Sequence, residues 1–393
     1  MENFLVHPQG SATRRVGTQH IAEVKDSTKK TRLIPFEFST TQTYILEFGD
    51  QYMRVYKDKG QVLSGGSPFE ISTPFLEAEL FDIKFAQSAD VMYLCHPNHD
   101  VRKLSRTGHT SWTLATVSFT GSPSLPISGA NNRPSCVSFF EQRLVFANTI
   151  TNPQTLWFSK AGDYENFTTG TNADDAMIYT IASNQVNAIQ YLKAVRTLVV
   201  GTSGGEFTVS ADGTDASITP TNVTIKRQSS FGSAGVDAIP AGNAVLFLQK
   251  AKRKIRELAY NFDSDGYVAP DLTILNDTVT KSGVNQMIFQ QEPDSIIWCV
   301  RDDGVLAGLT YQRSENVVAW HRHIFGGSFG SGNSVCESAA SISGTLTEDE
   351  LWVIVKRTIN GATKRYVECF SDFDFDETTA TDFKFLDSHL NYD

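Results

Sequence analysis

The sequence predicts an all-β protein of the β-propeller type, and three observations support this prediction. Valine, isoleucine, threonine, tyrosine and phenylalanine recur in short runs, which glycine, serine, asparagine and aspartate interrupt. A strand-turn-strand pattern returns along the chain at a nearly constant spacing. Helix signals are sparse.

The repeat consists of a short apolar strand, a turn, a strand of mixed polarity and a third strand with an aromatic residue. Its seven instances begin at residues 44, 91, 143, 197, 245, 296 and 350, so successive starts lie 47 to 54 residues apart. This length fits one propeller blade of three or four antiparallel strands, so we expect antiparallel blades of ~50 residues. Stacking such blades in a ring covers both faces of each sheet. The seven units predict six or seven blades.

Turn and helix signals refine this picture. Residues that readily adopt a positive φ occupy the turns of several predicted hairpins, as in Asp302-Asp303-Gly304 and Ile359-Asn360-Gly361. Residues 183–195 fit a helix by periodicity or a strand by their place before the next repeat, and the position favours a strand. A helix start signal also stands at Asp271, after Pro270.

The repeat divides the chain into three parts. Residues 1–35 are predicted to form a short irregular N-terminal arm, and residues 36–370 a β-propeller-like domain. Residues 371–393 are predicted to be an acidic C-terminal strand segment that leads towards a further domain, absent from this sequence. In it Asp372, Asp374 and Asp376 would share one face of a half-buried strand.

Composition limits the partners of the protein. The chain has 393 residues, 40% hydrophobic and 20% charged, which is enough for a globular core, and its formal net charge is −10. An acidic chain disfavours tight binding of nucleic acid, although loose passage of DNA stays compatible. The exception is the basic run KAKRKIR at 250–256, where Lys252, Lys254 and Arg256 are predicted to share one strand face. That face would meet solvent, another subunit, DNA or an acidic neighbour.

The cysteines and the termini indicate a reducing compartment. Five cysteines are scattered without a Cys-x-x-Cys pair, so we expect no disulfide framework, and Cys299 and Cys369, which lie in apolar strand-like runs, are predicted to be buried free thiols. No signal peptide is apparent, and no apolar run approaches the ~20 residues of a membrane anchor.

Two histidine pairs raise the question of a metal site. In VVAWHRHIFGG, residues 317–327, an extended strand would place His321 and His323 on one side and Trp320 on the other. We expect Trp320 to face the core and the histidines to bind no metal, because no third ligand is suggested. His96 and His99 adjoin Cys95, but no second ligand cluster matches them. The sequence therefore predicts no metal site.

The remaining motifs predict neither catalysis nor a cofactor. VGTSGGEF at 200–207 lacks the Gly-Lys-Ser/Thr of a phosphate loop and is predicted to be a hairpin. The Gly/Ser/Pro-rich stretch 121–134 is interpreted as a connection, with a binding loop as the alternative. Adjacent carboxylates at Asp174-Asp175 and Asp302-Asp303 lack the converging geometry of a glycosidase, and no Gly-x-Ser-x-Gly elbow is present.

Several long stretches carry a family resemblance. ENFLVHPQGSATRRVGT, FAQSADVMYLCHPNHDVRKLSRTGHTSWTL and QQEPDSIIWCVRDDGVLAGLTYQRSENVVAWHRH resemble the tail nozzle, or tail tubular protein B-like, proteins of short-tailed bacteriophages. These are also described as packaged-DNA stabilisation proteins. The resemblance implies a structural, non-enzymatic virion protein that is assembled in the host cytoplasm.

The resemblance also implies partners. Six copies would form a ring below the portal and its adaptor ring, would contact tail fibres or spikes, and would help to retain the packaged genome. Viral DNA would pass transiently through the ring without sequence preference. Two alternatives remain from the residues alone, a receptor-binding propeller and a polysaccharide-degrading propeller.

Overall fold

The computed structural model describes residues 1–121, 123–182, 185–213, 216–344, 348–372 and 384–390. Nearly all regular structure in these ranges is β-strand, and the helical segments there are two 3-10 turns, Glu77–Asp82 and Arg313–Glu315. Apart from Asp372, the acidic alternation predicted at 372–376 lies outside these ranges. No helix in the described ranges is long and apolar enough to cross a membrane.

The strands are short and follow one another closely along the chain. The first ten are β1 (Phe4–Val6), β2 (Ala12–Arg14), β3 (Thr18–Glu23), β4 (Arg32–Ser39), β5 (Gln42–Gly49), β6 (Tyr52–Lys57), β7 (Gly60–Gln61), β8 (Leu63–Ser64), β9 (Ser67–Pro68) and β10 (Glu70–Ser72). The next twelve are β11 (Lys84–Ser88), β12 (Val91–His96), β13 (His99–Gly108), β14 (Ser111–Thr116), β15 (Cys136–Phe140), β16 (Arg143–Ala147), β17 (Thr155–Phe158), β18 (Met177–Thr180), β19 (Ile189–Ala194), β20 (Leu198–Thr202), β21 (Gly205–Ala211) and β22 (Val223–Ser229). The remaining strands are β23 (Ile239–Ala241), β24 (Ala244–Leu248), β25 (Ile255–Asn261), β26 (Gly266–Val268), β27 (Val284–Gln290), β28 (Ile296–Arg301), β29 (Leu306–Gln312), β30 (Val317–His323), β31 (Ser328–Phe329), β32 (Gly332–Asn333), β33 (Val335–Ser343), β34 (Asp349–Ile359) and β35 (Ala362–Phe370).

Seven antiparallel sheets of four or five strands organise the described residues. Their strand orders are β10-β6-β5-β4 with β7 beside β6, β11-β12-β13-β14, β15-β16-β17-β18, β19-β20-β21-β22, β23-β24-β25-β26, β27-β28-β29-β30 and β3-β35-β34-β33. Each of the seven predicted repeat starts falls within, or one residue before, an inner strand of its sheet. These strands are β5, β12, β16, β20, β24, β28 and β34. The repeat therefore marks seven blades, and the predicted all-β class is confirmed.

The chain forms two compact units. Unit 1 comprises residues 1–81, 108–111 and 274–393, and unit 2 comprises residues 82–107 and 112–273. Within unit 1, apolar side chains of adjacent sheets pack around Trp298 and Trp352, both fully buried. Within unit 2, the equivalent layer surrounds Trp157 and Phe146. Each core therefore lies between neighbouring sheets, as the burial of both sheet faces requires.

Local sequence signals are realised in part. Asn360 and Gly361 have φ of 51° and 78°, which is the backbone of a tight hairpin turn. The ambiguous stretch at 183–195 contains the strand β19, as its position favoured. No helix follows Asp271, however; its carboxylate accepts the Thr273 N–H at 2.9 Å within a local turn.

The N-terminal segment differs from the predicted irregular arm. It contains β1, β2 and β3 and the first residues of β4, and β3 completes the sheet whose other strands come from the end of the chain. Thr18 of β3 lies opposite Phe370 of β35, and Glu23 lies opposite Tyr366. Without β3, the backbone groups of β35 would form an open edge.

This sheet buries charged side chains in pairs. Glu368 is fully buried and accepts hydrogen bonds from the Thr18 hydroxyl at 2.6 Å and from the Arg357 guanidinium. Glu337 pairs with Arg365 at 2.6 Å and with Lys356 at 3.1 Å. Each buried carboxylate thus has a cationic partner, which offsets the cost of removing its charge from water.

Arg15 joins both ends of the chain. Its two terminal nitrogens each lie 2.7 Å from an oxygen of Asp387, and they also donate to the carbonyls of Val16 and Ile324. Its guanidinium carbon lies 4.9 Å from the Phe325 ring centroid. Because Arg15 is 5% exposed, this bidentate pair is largely desolvated.

All five cysteines are free and buried, which confirms the prediction made for Cys299 and Cys369. Burial raises the pKa of the Cys136 and Cys299 thiols to about 12. These thiols are therefore protonated near neutral pH and are weak nucleophiles.

We expect Arg15→Ala to lower the free energy of unfolding of unit 1 by about 3–5 kcal/mol, because it leaves Asp387 buried without its cation. Urea denaturation followed by tryptophan fluorescence measures this change. Arg14→Ala serves as the control, since Arg14 is exposed and should change stability little. Equal losses in the two variants would contradict the role of the buried pair.

Candidate functional site

The predicted histidine pair lies on the buried face of β30. His321 and His323 are 1% and 0% exposed, whereas Val318 is 38% exposed and Trp320 only partly buried. The prediction that Trp320 faces the core is therefore wrong. The reason lies on β29, where Gly308 faces His321: a Cβ at Gly308 would lie 2.1 Å from the His321 ring. Glycine at this position makes room for the imidazole.

Hydrogen bonds assign the protons of the pair. The Thr310 hydroxyl donates to the Val6 carbonyl at 2.5 Å and lies 3.2 Å from Nε2 of His321. His321 Nε2 must then donate to Thr310, so its Nδ1 accepts from Nε2 of His323 at 2.6 Å. Nδ1 of His323 has no hydrogen-bond partner among the described residues.

Both rings are neutral in the folded protein. Burial lowers the pKa of His321 to about 3 and the pKa of His323 well below its ordinary value. A proton on Nδ1 of His321 would place two N–H groups against each other across the short contact. The pair therefore works as a packed polar element that holds β1 to β29 and β30 through Thr310.

The structure brings His96 and His99 together with Glu79, one ligand atom from each lying within 4.8 Å of the others, and Cys95 does not belong to this cluster. His96 is 2% exposed and accepts the Asn98 N–H at 3.1 Å, and its ring lies 5.3 Å from that of His99. Burial raises the pKa of Cys95 well above its ordinary value, which disfavours the thiolate that a metal ligand requires.

Each adjacent carboxylate pair contacts a nearby donor. Lys160 lies 3.3 Å from Asp174 and 3.1 Å from Asp175. Asp303 pairs with Arg301 at 2.5 Å, and Asp302 accepts from the Asn285 amide. These contacts connect the carboxylates to their own loops.

Two further stretches keep a structural role. VGTSGGEF forms the turn between β20 and β21, with Thr202 opposite Gly205, so the predicted hairpin is confirmed. In KAKRKIR the predicted strand face is wrong, because Lys252 has φ of 58° in a turn and β25 begins only at Ile255.

A cleft that the sequence did not reveal lies within unit 2. Its volume is about 460 Å³, and its walls come from the turns β11–β12, β15–β16 and β19–β20 and from Tyr164. Phe139 and Tyr164 meet edge to face with ring centroids 4.9 Å apart. We call this site the hairpin cleft. Three separate turns build it, so no single motif could have marked it.

The rim of the hairpin cleft is rigid and polar. Glu141 and Gln142 have φ of 44° and 58°, a backbone that costs energy in residues other than glycine. The Glu141 carboxylate accepts the Ile218 N–H at 2.6 Å, which fixes this turn. Arg196 is exposed on the opposite turn. An apolar aromatic wall with acidic, amide and cationic groups around it is thus presented to solvent.

Comparisons with known proteins identify the class of fold. The chain is similar to the β-propeller domain of Cps50 (Swd1) from Myceliophteria thermophila, with a TM-score of 0.51, 9% identity and coverage of 90% of this chain and 100% of that one. It is also similar to the WD40 domain of Pan2 from Neurospora crassa, with a TM-score of 0.50, 9% identity and coverage of 92% and 96%. A structure of YCF48 bound to D1 peptide gives a TM-score of 0.48, 12% identity and coverage of 93% and 98%. No family model and no curated protein match the chain.

These likenesses show a seven-bladed β-propeller fold, which agrees with the seven sheets. They also correct the family assignment. Solved structures that the chain is similar to include a β-propeller domain and a WD40 domain, so the assignment to the tail nozzle family is wrong. The hexameric ring, its portal, fibre and DNA contacts and the virion location depended on that assignment and stay untested predictions.

We expect the stability of the protein to fall as the pH drops below about 6.5, partly because of the histidine pair. The unfolded chain then binds a proton on each ring, whereas the folded chain keeps both neutral, so each histidine costs up to about 1.4 kcal/mol per pH unit. Urea unfolding at about pH 7 and about pH 5 measures the slope. The variant His321→Gln/His323→Gln should show a smaller decrease.

An unchanged pH dependence in the double variant would contradict this assignment. If the variant does not fold, NMR of the wild-type imidazoles gives the answer. If the rings of His321 and His323 titrate near pH 6.5 in the folded protein, that result would also contradict the assignment.

We expect Trp298→Ala to cost about 3–5 kcal/mol of unfolding free energy, because this ring is fully buried and contacts both histidines. Trp320→Ala should cost clearly less, since Trp320 faces the partly exposed side of the same sheet. Chemical denaturation of the two variants side by side tests the assignment of faces. A larger loss for Trp320→Ala would reverse it.

Proposed function

We propose that the protein is a non-catalytic β-propeller module that binds a peptide segment of a partner protein in the hairpin cleft. The observation that carries this proposal is the aromatic pair Phe139 and Tyr164, presented between three turns of neighbouring sheets. Aromatic side chains supply much of the contact energy in protein interfaces.

The dimensions and chemistry of the hairpin cleft support a peptide. A volume of about 460 Å³ accommodates a few side chains, and the site is open to solvent along the turns. Gln142 and Arg196 on its rim suit the amide and carboxylate groups of an extended peptide. Because the hydrogen bond to Ile218 holds the Glu141-Gln142 turn in place, this turn loses little conformational entropy when a peptide binds.

The state of the candidate catalytic groups favours a binding role over chemistry. The thiols are buried with raised pKa values, and His321 and His323 are neutral and enclosed. The carboxylate pairs contact neighbouring cations and amides. Each of these groups stabilises the fold through its present contacts.

Selection of peptides from a random display library against the purified protein tests this proposal. We expect enriched peptides whose affinity, measured by calorimetry, falls at least about tenfold in Tyr164→Ala, which corresponds to about 1.4 kcal/mol. Tyr260→Ala is the matched control, because Tyr260 is 47% exposed elsewhere in unit 2.

Equal loss of affinity in Tyr164→Ala and Tyr260→Ala would contradict the site. A selection that enriches no peptide for the wild-type protein would contradict the function. Far-ultraviolet circular dichroism of both variants verifies that they fold.

A further inference from the structure

A basic surface lies at the other ends of the unit 2 strands from the hairpin cleft. The turn between β24 and β25 carries Lys250, Lys252, Arg253 and Lys254, and Arg256 follows on β25. Lys250, Arg253 and Lys254 are exposed. We call these five residues, with Arg227 and Phe231, the basic turn surface.

Backbone contacts hold this surface in one shape. The Gln249 N–H donates to the Lys254 carbonyl at 2.8 Å, and the Lys252 N–H donates to the Gln249 carbonyl at 2.7 Å. The Lys250 N–H donates to the Gly232 carbonyl at 3.0 Å, which fastens the turn to the loop before β23. A Cβ on Gly232 would lie 2.5 Å from the Ser203 carbonyl oxygen, so this loop also packs against the β20–β21 turn.

Arg227, on β22, also contacts the β20–β21 turn. Its guanidinium donates to the carbonyl of Gly204 at 2.8 Å and to that of Ser229 at 3.2 Å. The cations of two neighbouring sheets are therefore displayed on a preorganised frame.

An aromatic platform lies among these cations. The Arg256 guanidinium carbon is 3.5 Å from the centroid of the Phe231 ring, and Phe231 is 40% exposed. Arg256 is immobilised by Gln249 Oε1 at 2.9 Å and the Ala269 carbonyl at 2.7 Å. A fixed guanidinium-aromatic stack whose ring is partly exposed suits stacking of a nucleobase.

Few negative charges oppose this surface. Asp271 pairs with Lys254 at 2.9 Å. Glu206 lies beneath the loop and is fully buried, where it accepts from the Ser233 hydroxyl at 2.8 Å, and its pKa is raised by desolvation. At physiological salt the screening length is about 8 Å, so acidic residues elsewhere on the chain oppose a ligand here only weakly. The net charge of the chain therefore conceals this local surface.

We propose that the basic turn surface binds single-stranded nucleic acid, with phosphates on the lysine and arginine side chains and a base on the Phe231-Arg256 stack. Duplexes keep their base faces stacked internally, so the platform favours a single strand. This proposal is independent of the hairpin cleft and of peptide binding.

Fluorescence anisotropy with a labelled oligothymidine of about 16 nucleotides tests the proposal. We expect the wild-type protein to bind, and to bind more weakly at about 200 mM than at about 50 mM salt, because counterions are released. Lys250→Glu/Arg253→Glu should weaken binding at least about tenfold. Lys30→Glu/Lys281→Glu makes the same change in net charge at exposed positions elsewhere and should leave binding unchanged.

Phe231→Ala separates a nucleic acid from an acidic polypeptide. Loss of one stacked base should weaken oligothymidine binding roughly tenfold, whereas binding of polyglutamate would not depend on the ring. The proposal is overturned if the wild-type protein fails to bind at about 50 mM salt, or if both charge-reversal doubles weaken binding equally. It is also overturned if Phe231→Ala binds oligothymidine like the wild type, or if polyglutamate binds more tightly than the oligonucleotide.

Discussion

The pairing of β3 with β35 is the interaction on which unit 1 depends, because it places a strand from the start of the chain in a sheet built from its end. Several other contacts follow from it. Thr18 can reach Glu368 only from this register, and Arg15, three residues earlier, then meets Asp387. The Ser388 N–H in turn donates to the Thr18 hydroxyl at 2.9 Å. A long-range backbone pairing thus positions the buried polar groups, and these groups discriminate against other registers.

Two sheets of unit 1 stabilise their buried polar groups differently, one by pairing opposite charges and the other by keeping the groups neutral. The β33–β35 sheet pairs its buried carboxylates Glu368 and Glu337 with arginine side chains. The neighbouring β27–β30 sheet keeps two histidines without charge and links them by a nitrogen-nitrogen hydrogen bond. Charged pairs stay paired over a wide pH range, whereas a neutral histidine pair depends on the absence of one proton. The histidine pair is therefore one source of the acid sensitivity of the fold.

Sequence reasoning located the strands because a period of two and turn residues such as Asn360-Gly361 are local properties. It assigned the wrong face of β30 to the core, because both faces carry residues compatible with a core. The buried face is determined by Gly308 on the neighbouring strand β29, because glycine has no side chain and leaves room for the His321 ring. The hairpin cleft was missed for a similar reason, since its turns are far apart in sequence. Of the basic turn surface, the run at 250–256 was recognised, but its backbone and its contact with Phe231 were not. The family assignment failed because similarity of short stretches is weaker than agreement over a whole fold.

The distribution of the five buried thiols gives each unit its own chemical reporter. Cys95 and Cys136 lie in unit 2, and Cys299, Cys336 and Cys369 lie in unit 1. Because all are enclosed and protonated, an alkylating reagent can reach them only when the surrounding sheets separate. The order in which these positions become labelled therefore records which unit opens first, without any engineered probe. Stability, which denaturation measures as one quantity, can in this way be assigned to parts of the propeller.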